Sequence, residues 1–260
     1  MNKKIDVMDD RYSKNKLYLT DEEQEVIKNF PILLAGSGLG SVIAECALRF
    51  GFEKITIVDG DRVESSNLSR QNYTEDDIDS NKVDALAKRL RSINKNAEIN
   101  CIDFFLTVEN IGDHIKGHRA AINTLDFSSP VPLIFDTACQ KLDIPVLHPY
   151  NIGWGSLVTV IARDGLLLNA LANGDEEFNE ATMMEYASSY LRFWGNPQKW
   201  MDSIIEKYKI EKGCQSPPQM AIASWSVAAL CTHLLFNIAT GKKYKKFPEF
   251  YLSAIIDEDL

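Results

Sequence analysis

No Cys-x-x-Cys pair occurs anywhere in the sequence, histidines number four, and positive charge is in deficit. Each shortage closes a class of function. The five cysteines (Cys46, Cys101, Cys139, Cys214 and Cys231) are odd in number and scattered, which fits a reducing compartment better than a disulfide framework. His114 and His118 are spaced i, i+4, but Lys116 and Arg119 flank them and no third ligand is near, so the pair reads as a solvated helix end. His148 and His233 have no metal-ligand spacing. With 28 Lys and Arg against 37 Asp and Glu, the net charge of −9 argues against sequence-blind nucleic-acid binding, which needs clustered cations. The opening MNKKIDVMDDRYSKNK lacks the run of about 7 to 15 apolar residues of a signal peptide, so a cytoplasmic protein is expected. Internal repeats and low-complexity segments are also missing.

What is present is ordinary globular composition: 260 residues, 45% hydrophobic and 25% charged, enough for one large domain or two small ones. One stretch tests that reading. Residues 220–240 (MAIASWSVAALCTHLLFNIAT) approach the length that spans a bilayer. They contain His233 and Asn237, and their Ser and Ala are spread around the helix, so a buried core helix and no membrane contact are expected.

Periodicity organises the first half as alternating strands and helices. Thr20 caps a short helix with Glu23 at the capping-box position. Ile32 to Ala35 is a buried strand, Ser41 to Phe50 a helix stopped by Gly51, and Lys54 to Asp59 the next strand, which together make one β-α-β unit. Residues 81–94 form an amphipathic helix and 98–102 a strand. Residues 119–124, 131–141 and 144–148 continue as strand, helix and strand. The expectation is an α/β fold: a Rossmann-like, mostly parallel sheet with helices on both faces. Residues 155–162 and 250–256 are expected to add antiparallel strands in the C-terminal half. Between them, residues 175–210 read as two short helices broken at Gly195-Asn196-Pro197 and rich in aromatic and Met side chains. That density is expected to pack, with a substrate groove as the alternative.

Gly36-Ser37-Gly38-Leu39-Gly40 stands where a strand turns into a helix, the place where backbone amides and a helix terminus attract phosphate. Asp59 ends the following strand about 20 residues on, where an acid binds ribose hydroxyls. These features alone fit any nucleotide-binding α/β domain, including a nicotinamide dehydrogenase; glycines that merely permit close helix-to-sheet packing are the plainer alternative. The stretch that follows, Asp59-Gly60-Asp61-Arg62-Val63-Glu64-Ser65-Ser66-Asn67-Leu68-Ser69-Arg70-Gln71, is far more polar than a dinucleotide fold needs.

In that stretch the chain resembles the adenylating domain of the ubiquitin-activating enzymes and of their bacterial relatives of the MoeB and ThiF type. Their pattern is a glycine loop, a strand ending Asp-x-Asp, then Val-x-x-x-Asn-Leu-x-Arg-Gln. Arg11-Tyr12-Ser13-Lys14-Asn15 is similar to the family's opening and Glu23-Gln24-Glu25 to its first helix. Lys82 matches the family's lysine, and Asp126 in Asn123-Thr124-Leu125-Asp126 its second aspartate. The resemblance covers residues 11 to about 162 and, more loosely, 214–240. It implies an N-terminal arm and helix (1–30) serving a dimer and its active site, and an ATP-binding core (31–165). A helical insertion (166–215) would act as a substrate clamp, and a final helix and strand (216–260) would complete the core.

The implied reaction is attack of a substrate carboxylate on the α-phosphate of ATP, giving an acyl-adenylate and pyrophosphate. A carboxylate is already ionised at neutral pH, so no general base is needed. The difficulty is accumulated negative charge, which requires cations and Mg²⁺ fixed in advance. By resemblance, Arg70 and Lys82 hold phosphates, Asn67 donates a hydrogen bond, Asp126 holds Mg²⁺ and Asp59 takes the ribose; Gly36, Ser37, Gly38, Leu39, Gly40, Asp61 and Gln71 complete the nucleotide set. The bland alternatives are an Arg70 ion pair with Glu64 or Asp61 and an exposed helix-start Lys82. A lysine is unfavourable at a helix amino terminus, which favours a bound anion there. The carboxylate would belong to a small carrier protein or a precursor peptide, and the chain would form a homodimer.

Departures from the pattern carry their own expectations. The glycine loop is one residue shorter than Gly-x-Gly-Gly-x-Gly. Lys14 stands where relatives place an arginine that reaches into the partner's site, keeping the charge and losing the two-pronged geometry. Phe127 replaces the Asn after the aspartate. Without Cys-x-x-Cys pairs no structural zinc is expected. Cys214 lies near the segment in which relatives carry a reactive cysteine, so it is either an acyl-accepting thiolate or a plain loop thiol. The competing functional readings are activation of a tRNA-bound or small-molecule carboxylate, a catalytically inactive ATP-binding scaffold, and the dehydrogenase.

Overall fold

A computed structural model describes residues 10–172, 178–211 and 218–256. The short apolar runs form strands: β1 Ile32–Ala35, β2 Lys54–Val58, β3 Glu98–Ile102, β4 Ala120–Asn123 and β5 Val146–Asn151. β1, β4 and β5 are buried along their whole length, as strands covered on both faces must be. All five are parallel and lie in the order β3-β2-β1-β4-β5. Between β3 and β4 the chain crosses to the other side of β1, so the helices that follow β1 and β4 run to opposite faces of the sheet and open a crevice at the strands' carboxyl ends. β6 Gly155–Ile161 and β7 Phe250–Ala254 extend the sheet antiparallel to seven strands, as the irregular connections before them predict.

Helix boundaries follow the local chemistry. α1 Asp21–Lys28 carries the expected reciprocal bonds between Thr20 and Glu23. α2 Gly38–Phe50 begins earlier than the apolar period predicts, so Gly38 and Gly40 belong to its first turn, and it stops at Gly51 with φ +130°. α3 Lys82–Ile93 is flanked by Asn81 and Asn94. α4 Ile111–His114 is a single turn, and α5 Val131–Lys141 has the predicted bounds. α6 Glu180–Phe193 and α7 Lys199–Ile210 are the two short helices expected on either side of Gly195.

α8 Ala221–Ala239 is long and apolar enough to cross a membrane by length and composition. Half of it is nonetheless buried in the fold, against α2, β5 and β6. α2, α3 and α8 build the core on one face of the sheet, around Ile43, Leu48, Leu86 and Val227. α5, α6 and α7 build the other, around Phe135, Met183, Trp200 and Met201, so the aromatic segment packs as expected. His114 and His118 depart from the solvated reading. Both are half-buried: the His114 ring lies 4.7 Å from Phe104, and His118 Nε2 is 2.9 Å from Thr56 Oγ1.

Candidate active site

A cleft of about 630 Å³ opens at the carboxyl ends of the parallel strands. Its first wall is the glycine turn, the start of α2, the segment from Asp59 to Gln71 and the start of α3. Gly36 has φ +91°, and a Cβ there would stand 2.6 Å from Thr124 Oγ1 and 2.9 Å from the Thr124 carbonyl. Only glycine lets the loop after β1 come this close to the loop that bears Asp126. Thr124 Oγ1 lies 3.0 Å from the carbonyls of Ala35 and Gly36, to which it can donate.

Asp59 is held by three donors. Its Oδ2 accepts from the Ser37 N–H at 2.6 Å and the Ser37 hydroxyl at 2.8 Å, and its Oδ1 accepts from the Asp61 N–H at 2.8 Å. A carboxylate has about four acceptor sites, so acceptor capacity remains toward the cleft. Lys82 is only 7% exposed and pairs with Asp61 Oδ2 at 2.9 Å. It is therefore not the exposed helix-start lysine of the bland reading.

Arg70 pairs with neither Glu64 nor Asp61. Its Nε donates to Gln219 Oε1 at 2.7 Å and its guanidinium to the Ser66 carbonyl at 2.9 Å. Asn67 Oδ1 caps its own turn by accepting from the Glu64 N–H at 3.0 Å. Gln71 Oε1 is buried and has no partner among the described residues. The Asp126 carboxyl is pushed above the usual range, first by burial and then by the neighbouring Asp61 carboxylate.

The cleft thus brings together Gly36, Gly38, Leu39, Asp59, Asp61, Asn67, Arg70, Gln71, Lys82 and Asp126. Three expected contacts do not line it. Ser37 is wholly buried behind Asp59, because its hydrogen bonds turn it inward. Gly40 packs on Leu34 and Thr124, the close helix-to-strand approach that the third glycine of such loops serves. Lys14 is exposed on the turn Asp10–Asn15, which grips the far end of α2: Asn15 donates to the Phe50 carbonyl at 3.0 Å and Tyr12 to Glu53 at 2.8 Å. A helix of this length places that end about 20 Å from the phosphate turn. Cys214 lies outside the described residues.

The second wall draws on the helical insertion for which a clamp or substrate groove is the expectation, but its individual residues carry no motif. It comprises Phe127, His148, Tyr150, Glu180, Met184, Ile204 and Tyr208 from β5, α6, α7 and the loop after β4. Phe127, the departure from the family pattern, stacks on His148 at 5.9 Å and meets Phe178 edge-on at 5.0 Å. Beneath it His148 Nε2 lies 2.7 Å from both oxygens of Asp136, and Asn123 donates to Asp136 Oδ1 at 3.0 Å. Burial, then the Asp126 charge, raises the Glu180 carboxyl. Near the first wall, Phe105 is 63% exposed, and a Cβ on Gly60 would lie 2.8 Å from its ring. An acid inside the apolar helix VPLIFDTACQK was the available signal for Asp136; nothing comparable marks Met184 or Ile204.

Among the described residues no three His, Cys, Asp or Glu side chains converge as a metal-ligand set. The donor chemistry fits Mg²⁺ nevertheless, since that ion is commonly held by one or two carboxylates with the remaining positions taken by substrate phosphates and water. Asp126, a crowded carboxyl on the cleft, has that donor chemistry.

Comparison with known proteins places this geometry. The chain is 34% identical over 171 residues to the sulfur carrier protein ThiS adenylyltransferase of Bacillus subtilis (strain 168), covering 63% of this chain and 51% of that protein. It is 30% identical over 118 residues to the tRNA threonylcarbamoyladenosine dehydratase of Escherichia coli (strain K12), covering 45% and 44%. The chain spans about half the length of these curated relatives. Among solved structures, E. coli MccB with MccA superposes with a TM-score of 0.71 at 15% identity over 96% of this chain and 72% of that one. PaaA gives 0.64 at 19% identity over 90% and 64%. Those identities bear on fold alone. The family model matches residues 12–255, cleft and both walls included, and the chain belongs to the ThiF family.

Proposed function

We propose that the protein is an ATP- and Mg²⁺-dependent adenylyltransferase that activates the terminal carboxylate of a small carrier protein or a peptide. The observation that carries this reading is the convergence of Lys82, Arg70, Asp59 and Asp126 on one cleft at the start of α2. A dehydrogenase has no use for buried Lys82 and for Arg70 beside a phosphate turn. ATP would lie with its phosphates at the amino terminus of α2, its ribose on Asp59 and its base against Phe105. Lys82 and Arg70 would exchange their contacts with Asp61 and Gln219 for phosphate oxygens. Asp126 would hold Mg²⁺, which supplies charge neutralisation and Lewis-acid polarisation of the phosphates when bound. The substrate carboxylate oxygen forms a bond to the α-phosphorus while the bond to the bridging oxygen breaks, and pyrophosphate leaves with that electron pair.

The acyl chain would enter along the second wall, where α6 and α7, within the helical insertion, line the cleft. Acids outnumber cations around the cleft, with Asp59, Asp61, Glu64, Asp126 and Glu180 against Arg62, Arg70 and Lys82. That balance favours a peptide over tRNA as the carboxylate's carrier. Lys14 stands too far from its own phosphate turn to serve it, which supports a homodimer in which each arm serves the other subunit. Cytoplasmic location follows from the same reading. ATP–pyrophosphate exchange, dependent on Mg²⁺ and a candidate carrier or peptide, tests the function. Failure of every acyl substrate to support exchange, with Asp126→Asn and Arg70→Ala binding ATP like wild type, would overturn it.

A further inference from the structure

Ser37 and Tyr73 are buried polar side chains beneath the cleft that touch no expected substrate, and their bonds run in series. Tyr73, 7% exposed, donates to the Ser37 carbonyl at 2.9 Å; its Oη is also 3.2 Å from Ser37 Oγ. Ser37, wholly buried, directs both its N–H and its hydroxyl onto Asp59 Oδ2. Burial raises the Tyr73 phenol, so it remains a donor throughout the physiological range.

The neighbouring Asn72 secures the same stretch. Its N–H donates to Ser41 Oγ at 2.9 Å, and that hydroxyl donates to the Gly38 carbonyl at 2.6 Å. The Asn72 side chain also bonds Glu45, a buried acid of α2 that pairs with Arg49 and Arg89. The two residues after Arg70 and Gln71 are therefore tied to the first turns of the phosphate helix.

We propose that Tyr73 is a positioning residue for the ribose acceptor, acting through Ser37 to hold the Asp59 carboxylate in one orientation. An Asp side chain at the end of a strand has rotamer freedom. Ser37 removes that freedom with two donors on one oxygen, which leaves the remaining acceptor capacity facing the cleft. Tyr73 tethers the Ser37 peptide from below, so the phenol governs the ribose site without touching the nucleotide.

This inference rests on the ATP-binding reading above, and its test separates the two. Equilibrium binding of ATP and of 2′,3′-dideoxy-ATP, each with Mg²⁺, is measured for the full chain, for Tyr73→Phe, for Ser37→Ala and for the double variant. Dideoxy-ATP lacks the hydroxyls that Asp59 would accept. Tyr73→Phe is expected to weaken ATP about fivefold, the size of one lost hydrogen bond, and to leave dideoxy-ATP unchanged. Ser37→Ala is expected to do the same. Ser37→Ala keeps the tethered peptide and its N–H bond to Asp59, so Tyr73→Phe should weaken ATP further in that background, again without effect on dideoxy-ATP. Equal weakening of both nucleotides by Tyr73→Phe, or no change in either, overturns the positioning role. A wild-type chain that binds neither nucleotide removes the adenylyltransferase reading together with this one.

Discussion

The two walls of the cleft are built on different principles. The nucleotide wall is drawn from one stretch of chain: Gly36, Asp59, Asn67, Arg70 and Lys82 lie between the end of β1 and the start of α3, and the bonds of Asp59, Asn67 and Lys82 stay within it, while Arg70 reaches out to Gln219. The opposite wall is long-range. It gathers β5, α6, α7 and the loop after β4 around the buried Asp136–His148 contact and a row of aromatic rings. A wall that must fit one invariant ligand can be written as a motif, whereas a wall that must fit a particular acyl chain is written as shape.

Substitutions should separate the walls. The largest effect is expected for Asp136→Ala, which strands His148 Nε2 and Asn123 Nδ2 without their shared acceptor in the interior. It should cost about 3 kcal/mol of stability, read as a lower denaturant midpoint, while ATP affinity of the folded fraction is retained. Asp126→Asn should reduce pyrophosphate exchange about a hundredfold, a loss of about 2.7 kcal/mol in transition-state stabilisation. The same change should raise the thermal midpoint of the ligand-free protein at pH 7. The fold raises this carboxyl, so the charged form is disfavoured in the native state and its removal is stabilising.

That shift also has a pH signature. On the proposed role of Asp126 as a Mg²⁺ ligand, exchange at subsaturating Mg²⁺ should decline, as pH falls, at a higher pH than an ordinary carboxylate titrates. Phe105→Ala should weaken ATP about tenfold through lost stacking on the base, measured by equilibrium binding, whereas Phe105→Tyr should not. The smallest effect is expected for Met184→Gln: about threefold in the KM for the acyl substrate and none in ATP affinity. An equal change in both would erase the distinction between the walls.

Much of the architecture is legible in the sequence pattern. Strand and helix order, the antiparallel additions, the capping box of α1 and the break at Gly195 follow from periodicity and turn chemistry. The glycine turn and Asp59 follow from motif spacing, and the rest of the nucleotide wall from the resemblance to the family. Ser37 and Gly40 do not line the cleft, because a glycine-rich turn does not say which of its residues faces outward; here Asp59 pulls Ser37 inward and close packing claims Gly40. Arg70, expected on phosphates with an ion pair to Glu64 or Asp61 as the bland alternative, makes neither of those pairs and reaches Gln219, a contact no local pattern encodes. The helical insertion is legible as a clamp or groove, but which of its residues line the cleft is not, since Met184, Ile204 and Tyr208 carry the ordinary period of packed helices.

The approach of Gly36 to Thr124 has a consequence for engineering. The glycine turn and the loop that bears Asp126 have no space between them, so they behave as one part rather than two. A graft of this nucleotide site onto another α/β scaffold would have to carry both loops and their spacing together. Thr124→Ser should be tolerated because it keeps the hydroxyl; any side chain at position 36 would push the two halves of the graft apart.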